Sequence, residues 1–168
     1  MNRYSLETKA LTVSDEGELS GIAWAWSPDR RGDIIERKAF GGIAGPVVML
    51  WQHRPDEPIG AWDSITPTDA GLEVKGRLFV DESPRAREAR AMVRRGVVTG
   101  LSLGFRSIRK SDRPGFPNAR IFSAVSVEEI SLVTRPAHPA AQVLHAKAQA
   151  EAEELAALIL EARAALRS

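Results

Sequence analysis

Apolar side chains recur at every second position in short runs, and the runs are separated by Gly, Pro and polar clusters. This period of two predicts strands over most of the chain. The expected strands are residues 5–13, 18–26, 47–53, 59–66, 72–80, 97–105 and 125–134. Ile22, Trp24 and Trp26 share one face of the second. Residues 59–66 and 72–80 read as a hairpin joined by Pro67-Thr68-Asp69-Ala70-Gly71. Residues 33–40 are ambiguous and 41–45 read as a flexible Gly-rich link. Residues 54–58 read as a charged loop with two prolines, and 107–120 as a basic, Gly- and Pro-containing mobile loop. One stretch switches to helical spacing. Ser83 suits its N-cap, Pro84 its first position and Gly96 the place after its end, with Ala86, Ala89, Met92 and Val93 as an apolar stripe. Residues 140–168 are rich in Ala and Leu and predict a second, terminal helix. The fold class expected from this order is mostly β (α+β), an antiparallel sheet or barrel with flanking helices.

The run Val97-Val-Thr-Gly-Leu-Ser-Leu-Gly-Phe105 is the most informative. Alternation puts Val97, Thr99, Leu101, Leu103 and Phe105 on one face, and Val98, Gly100, Ser102, Gly104 and Arg106 on the other. Ser102 thus carries a lone hydroxyl between glycines. The pattern fits a small-residue patch beneath packed structure. Taken alone it fits less well the other reading, a nucleophile with its face kept clear for an extended substrate strand.

Composition narrows the classes. The length of 168 residues suits one domain with an appendage, expected as 1–143 and 144–168. Apolar residues at 43% and charged residues at 27% are ordinary for a globular protein, and a net charge of +1 argues against a nucleic-acid binder. The arginines of the 84–95 helix read as a solvated face rather than as a phosphate-binding one. The absence of cysteine excludes disulfides, thiolate catalysis and cysteine-bound zinc. The N-terminus lacks the apolar core of a signal peptide, and no apolar run reaches membrane-spanning length. No membrane partner and no cofactor are expected.

Three polar residues stand in or at the end of apolar strands: His53, Ser102 and Glu129. Serine, histidine and an acid are the set that acyl transfer needs, as nucleophile, proton carrier and orienting group. Each also has an ordinary role open to it, as a surface histidine, a packed serine or a paired glutamate. The adjacent Glu128 competes with Glu129, since alternation alone does not say which face meets the site. There is no Gly-x-Ser-x-Gly, so the nucleophile elbow of α/β-hydrolases is not implied. A metal site is weakly supported: His53, Asp56 and Glu57 lack paired ligand spacing, and none is expected. His138 and His145 read as structural or surface residues.

Taken together, several segments resemble the prohead (capsid maturation) proteases of tailed phages, relatives of the herpesvirus assemblin serine proteases. They are Gly32-Asp-Ile-Ile35 with Lys38-Ala-Phe40, Met49-Leu-Trp-Gln-His53, Pro58-Ile-Gly60, Gly71-Leu-Glu-Val-Lys-Gly76, Gly100-Leu-Ser-Leu-Gly-Phe105, Glu129-Ile-Ser-Leu-Val-Thr134 and Pro136-Ala-His-Pro-Ala140. The family's usual Gly-Ala-Phe is Lys-Ala-Phe here, and its usual asparagine after Pro-Ala is His138. The resemblance implies an assemblin-like barrel and a serine endopeptidase acting inside the immature capsid, in the host cytoplasm. Its implied substrates are the scaffold or the scaffold-like arm of the major capsid protein, and itself, with self-association possible. It implies Ser102 as nucleophile, His53 as general base and Glu129 as third member. Backbone amides near Gly104, or Arg135, would stabilise the oxyanion. The tail 144–168 would target scaffold or shell, be removed by self-cleavage, or simply pack. A non-enzymatic assembly factor of the same fold is the alternative.

Overall fold

A computed structural model of the chain describes residues 13–43 and 45–144. Residues 140–144, expected to open the terminal helix, instead form a turn and a short strand; the rest of that helix, His145 and nearly all of the expected strand at 5–13 lie outside the described residues. The strands are β1 (Glu18–Trp24), β2 (Ile34–Ile35), β3 (Val47–Trp51), β4 (Arg54–Pro67), β5 (Leu72–Leu78), β6 (Gly100–Asp112), β7 (Arg120–Val133) and β8 (Gln142–Leu144). One α-helix, α1 (Pro84–Arg94), is found among the described residues, with a 3-10 turn at Arg37–Ala39. The strands run in the order β2-β7-β3-β4-β5-β1-β8-β6, and β6 pairs back onto β7. All but β2 therefore close into a barrel, and β2 is an appendage on β7.

The barrel is mixed rather than antiparallel. β3 runs parallel to β7, with Val48 opposite Glu129 and Leu50 opposite Ser131. β2 is also parallel to β7. Hydrophobic alternation reports which face of a strand is buried but not the direction of its neighbour, so the sequence did not reveal these pairings.

Inward-facing side chains fill the barrel. Met49, Trp51, Trp62, Val74, Leu78, Leu101, Leu103, Ile130 and Leu132 belong to one core cluster. Trp62 is fully buried, and its Nε1–H donates to the Ile130 carbonyl at 2.9 Å, which satisfies the one polar atom of that ring. α1 forms for the reasons its sequence suggests. The Ser83 hydroxyl accepts from the Ala86 N–H at 3.2 Å, Pro84 opens the first turn, and Ala86, Ala89 and Val93 are buried. Gly96 has φ +67, and the Val97 N–H closes onto the Met92 carbonyl at 2.9 Å, a Schellman ending. The arginines of α1 are engaged within the chain. Arg87 donates to the Val80 carbonyl, Arg90 to the Asp15 carbonyl, and Arg94 to the Val13 carbonyl and the Asp15 carboxylate. They anchor residues 13–15 and the segment before the helix.

Two expected loops are strands. Arg54–Pro58 belongs to β4, where register shifts between Leu50↔Pro58 and Trp51↔Arg54 absorb the prolines. Residues 107–112 and 120–124 belong to a long β6–β7 ribbon whose tip is 113–119. At that tip the Arg113 N–H donates to the Ala119 carbonyl at 2.8 Å, and the Arg113 guanidinium stacks on Phe116. The tip end of the ribbon is tied down by Asp33, whose buried carboxylate takes two side-chain donors and the backbone N–H of Arg120. Burial pushes the Asp33 carboxyl up, but the hydrogen bonds and charge of Arg120 outweigh it and hold the group below the usual carboxylate range.

Candidate active site

Three neighbouring strands, β3, β7 and β6, carry the site. Antiparallel pairing sets Ser102 opposite Ser131 and Gly104 opposite Glu129. Since Leu101, Leu103, Ile130 and Leu132 point into the core, Ser102, Ser131 and Glu129 point outward together.

The histidine arrives from a turn rather than from a strand. Trp51 pairs with Arg54, so Gln52 and His53 form the two-residue loop of the β3–β4 hairpin. Their φ values are +52 and +59, as a type I′ turn requires. Such a turn suits Asn-Gly. Holding non-glycine residues there costs about 1–3 kcal/mol each, and such strain persists only where its surroundings enforce it. Here β7 enforces it: the Gln52 N–H donates to the Leu132 carbonyl at 3.0 Å and the His53 N–H to the Ser131 hydroxyl at 3.1 Å. The turn folds the imidazole back over the outer face of β7 and β6.

The ring closes a relay. Its Nδ1 lies 2.6 Å from Glu129 Oε1 and its Nε2 lies 2.8 Å from Ser102 Oγ. A carboxylate only accepts, so Nδ1 carries the proton, and Nε2 is left to accept from the serine hydroxyl. The hydrogen bond to Glu129, with its charge, raises the His53 pKa above the ordinary imidazole value, against an opposing effect of burial. The imidazole side chain is 47% exposed, whereas Ser102 is 3% exposed. The relay thus has one open side, at the histidine. Residues 49 and 76 positions apart in sequence supply its two hydrogen bonds.

A model of the family described as Caudovirus prohead serine protease matches residues 4–155. The chain belongs to that family. It is similar to the capsid polyprotein of Pseudomonas phage PAJU2, at 36% identity over 159 residues, which is 92% of this chain and 23% of that protein. It is similar to the prohead protease of Enterobacteria phage HK97, at 36% identity over 144 residues, or 82% of this chain and 63% of the relative. The prohead protease of Escherichia phage T5 is 26% identical over 132 residues, 73% of this chain and 60% of the relative. The chain spans less than two thirds of the length of these relatives. Among solved structures, the KSHV protease in complex with a hexapeptide phosphonate inhibitor shares the fold, with a TM-score of 0.50 and 14% identity over 76% of this chain and 63% of that one.

The other residues singled out in the sequence fall into place around the relay. Glu128 points away from it, toward Arg106 at 3.8 Å. Gly104 lies beside the acid. A Cβ there would meet Glu129 Oε1 at 2.1 Å, and one at Gly100 would meet Pro136 Cδ at 2.7 Å. Both glycines therefore make room for the chain's own groups, where the sequence suggested a cleared path for substrate. Arg135 lies on the exposed segment beyond β7, with no hydrogen bond or ion pair among the described residues. Asp56 pairs with Arg54, and Glu57 with Arg54 and Arg85. His138 is buried elsewhere, against Trp24 and the Ser27 carbonyl. One residue of the site was missed. Ser131 shares a strand face with Glu129, and that i, i+2 relation was the signal that marked it.

Proposed function

We propose that this chain is a serine endopeptidase of capsid maturation. The observation that carries the reading is the imidazole of His53 placed between Ser102 Oγ and Glu129 Oε1, at 2.8 and 2.6 Å. Ser102 attacks the scissile carbonyl while His53 Nε2 takes its proton. His53 then returns that proton to the leaving amine, and a water repeats the cycle to release the acyl group. Glu129 fixes the tautomer and stabilises the imidazolium that forms. The oxyanion is met by a backbone amide near Gly104 and by Arg135, whose guanidinium is unspent on any neighbour among the described residues. Arg135→Ala is expected to lower kcat about 100-fold, and an unchanged kcat removes Arg135 from the mechanism.

The substrate is the scaffold or scaffold-like arm of the major capsid protein, together with the chain itself, inside the immature capsid. The PAJU2 relative supports this, since a segment similar to this chain occurs there within a capsid polyprotein. The test is co-expression with the capsid protein of the same particle. The wild type is expected to shorten it, and Ser102→Ala to leave it intact. Normal processing by Ser102→Ala overturns the proposal. Mass spectrometry of the wild-type chain beside Ser102→Ala reads self-cleavage directly, as new termini in the wild type alone.

A further inference from the structure

The hydroxyl of Ser131 has two partners, and both belong to the relay. It donates to Glu129 Oε2 at 2.6 Å and accepts the backbone N–H of His53 at 3.1 Å. Ser131 is wholly buried, so water does not substitute for either bond. It sits at the centre of the site, opposite Leu50 on β3 and Ser102 on β6.

Each bond answers a freedom that the rest of the site leaves open. The terminal torsion of a glutamate is soft and broadly populated. The Nδ1–H of His53 engages one carboxylate oxygen, which alone lets the group swing about that contact. Ser131 holds the second oxygen and stops the swing. The other freedom is in the turn, where His53 has φ +59 and needs an acceptor for its N–H. The same hydroxyl supplies it. One oxygen atom therefore ties the acid and the backbone of the base to a single point on β7.

We propose that Ser131 is the positioning residue of the relay: its hydroxyl locks the Glu129 carboxylate and the His53 turn in the register that lets Nε2 face Ser102. This rests on the serine-protease reading of the site. Ser131 touches no reacting atom, and its effect passes through Glu129 and His53. Glu129, from β7, is the charged group that perturbs His53. Arg54, next in the chain on β4, is paired with Asp56 and Glu57, while on β6 Arg106 is turned to Glu128.

Two measurements on Ser131→Ala test this, one with cleavage and one without. With the capsid substrate, kcat is expected to fall about 10- to 100-fold, KM to stay within about twofold, and the acid limb of the pH profile to move to lower pH. Without cleavage, the His53 imidazole is titrated by NMR in the Ser102→Ala background, with and without Ser131→Ala. The loosened carboxylate is expected to lower the His53 midpoint. Ser131→Thr keeps the hydroxyl and is expected to hold the midpoint of its parent. The proposal is overturned by a midpoint that stays or rises in Ser131→Ala, whatever happens to kcat, because a merely structural serine would lower activity without touching the titration. A threonine variant that shifts as far as alanine also counts against it. If the wild type cleaves nothing but the midpoint still falls in Ser131→Ala, the protease reading fails and the locking of the Glu129–His53 pair by Ser131 stands.

Discussion

Two histidine corners of the molecule are built from the same ring and come out with opposite characters. His138 is 2% exposed. Its Nδ1 accepts the Ala140 N–H at 3.1 Å, its Nε2–H donates to the Ser27 carbonyl at 2.7 Å, and the ring meets Trp24 edge-on. Its shorter hydrogen bonds go to main-chain groups, which neither titrate nor react, and the Ser27 hydroxyl stands farther from Nε2, at 3.3 Å. His53 likewise uses both nitrogens, but its partners are a carboxylate and a hydroxyl, and its ring stands half in solvent. A full set of hydrogen bonds therefore does not by itself separate the two rings. The chemistry of the partners does: peptide groups on both sides fix a tautomer, whereas an acid on one side and a hydroxyl on the other allow a proton to move.

The sharpest way to break this contrast is to delete each ring in turn. In the proposed mechanism His53→Ala removes the proton carrier, and kcat is expected to fall about 10⁴-fold or more with little change in melting temperature. Cleavage within tenfold of the wild type would reduce His53 to a surface residue. Glu129→Gln is the next largest. It leaves a side chain of the same shape but removes the hydrogen-bonded charge that raises the His53 pKa. In the proposed mechanism activity needs the neutral imidazole, so the raised pKa is expected to place the wild-type acid limb above the ordinary imidazole value. The variant is expected to shift that limb to lower pH while kcat falls about 100- to 10,000-fold. Stability follows the same linkage. A histidine pKa raised by folding contributes stability that is fully present below the unfolded pKa and is lost as pH rises through the folded one. Glu129→Gln should therefore destabilise the protein more at pH 5 than at pH 9. An acid limb that does not move would mean that Glu129 does not govern the His53 proton.

How much of this could be read from the residues depended on whether a feature buries anything. β3, β5 and the first half of β6 were legible because one face of each is packed with Val, Leu, Met or Trp. α1 was legible because its caps are chemical signals in their own right. The β6–β7 ribbon beyond Phe105 was not, since Arg106–Asp112 is polar and mostly exposed, its ladder to β7 is held by backbone bonds, and only Phe122 and Val125 of the facing stretch Arg120–Ser126 are buried. The parallel pairing of β3 with β7 was hidden for a similar reason: it is a matter of chain path. Within the site, alternation set Ser102 apart from the core-facing leucines and placed Glu129 and Ser131 on one face together. What it did not convey was what fills the space over a glycine. Gly100 and Gly104 looked like gaps, and they are filled by Pro136 and the Glu129 carboxylate.

The other half of the contrast concerns stability. His138→Ala leaves the Ser27 carbonyl and the Ala140 N–H without their partner and opens a void beside Trp24. Each buried, unpaired polar group costs about 1–3 kcal/mol, so a loss of about 2–4 kcal/mol is expected in denaturant unfolding. The kcat of the folded protein should remain within about twofold. A fall in kcat comparable to that of His53→Ala would erase the division between the two corners.

The smallest effect is expected from His138→Asn, and it tests why a histidine can stand where the family motif usually has asparagine. His138 Nδ1 accepts from the N–H two residues on. That is the bond an asparagine side-chain oxygen makes in an Asx turn. The asparagine variant should therefore retain the Ala140 contact and the 138–140 turn. Its side chain is too short to reproduce the Nε2–H bond to the Ser27 carbonyl, so one of the two partners is lost along with part of the contact with Trp24. The unfolding free energy should lie between wild type and His138→Ala, about 1–2 kcal/mol below wild type. An asparagine variant no better than alanine would show that the turn bond contributes nothing and that the ring is held by its packing on Trp24. A variant as stable as wild type would show the reverse, that the turn bond alone fixes this corner. Either result leaves the cleavage rate untouched if partner chemistry, rather than the presence of a histidine, is what separates His138 from His53.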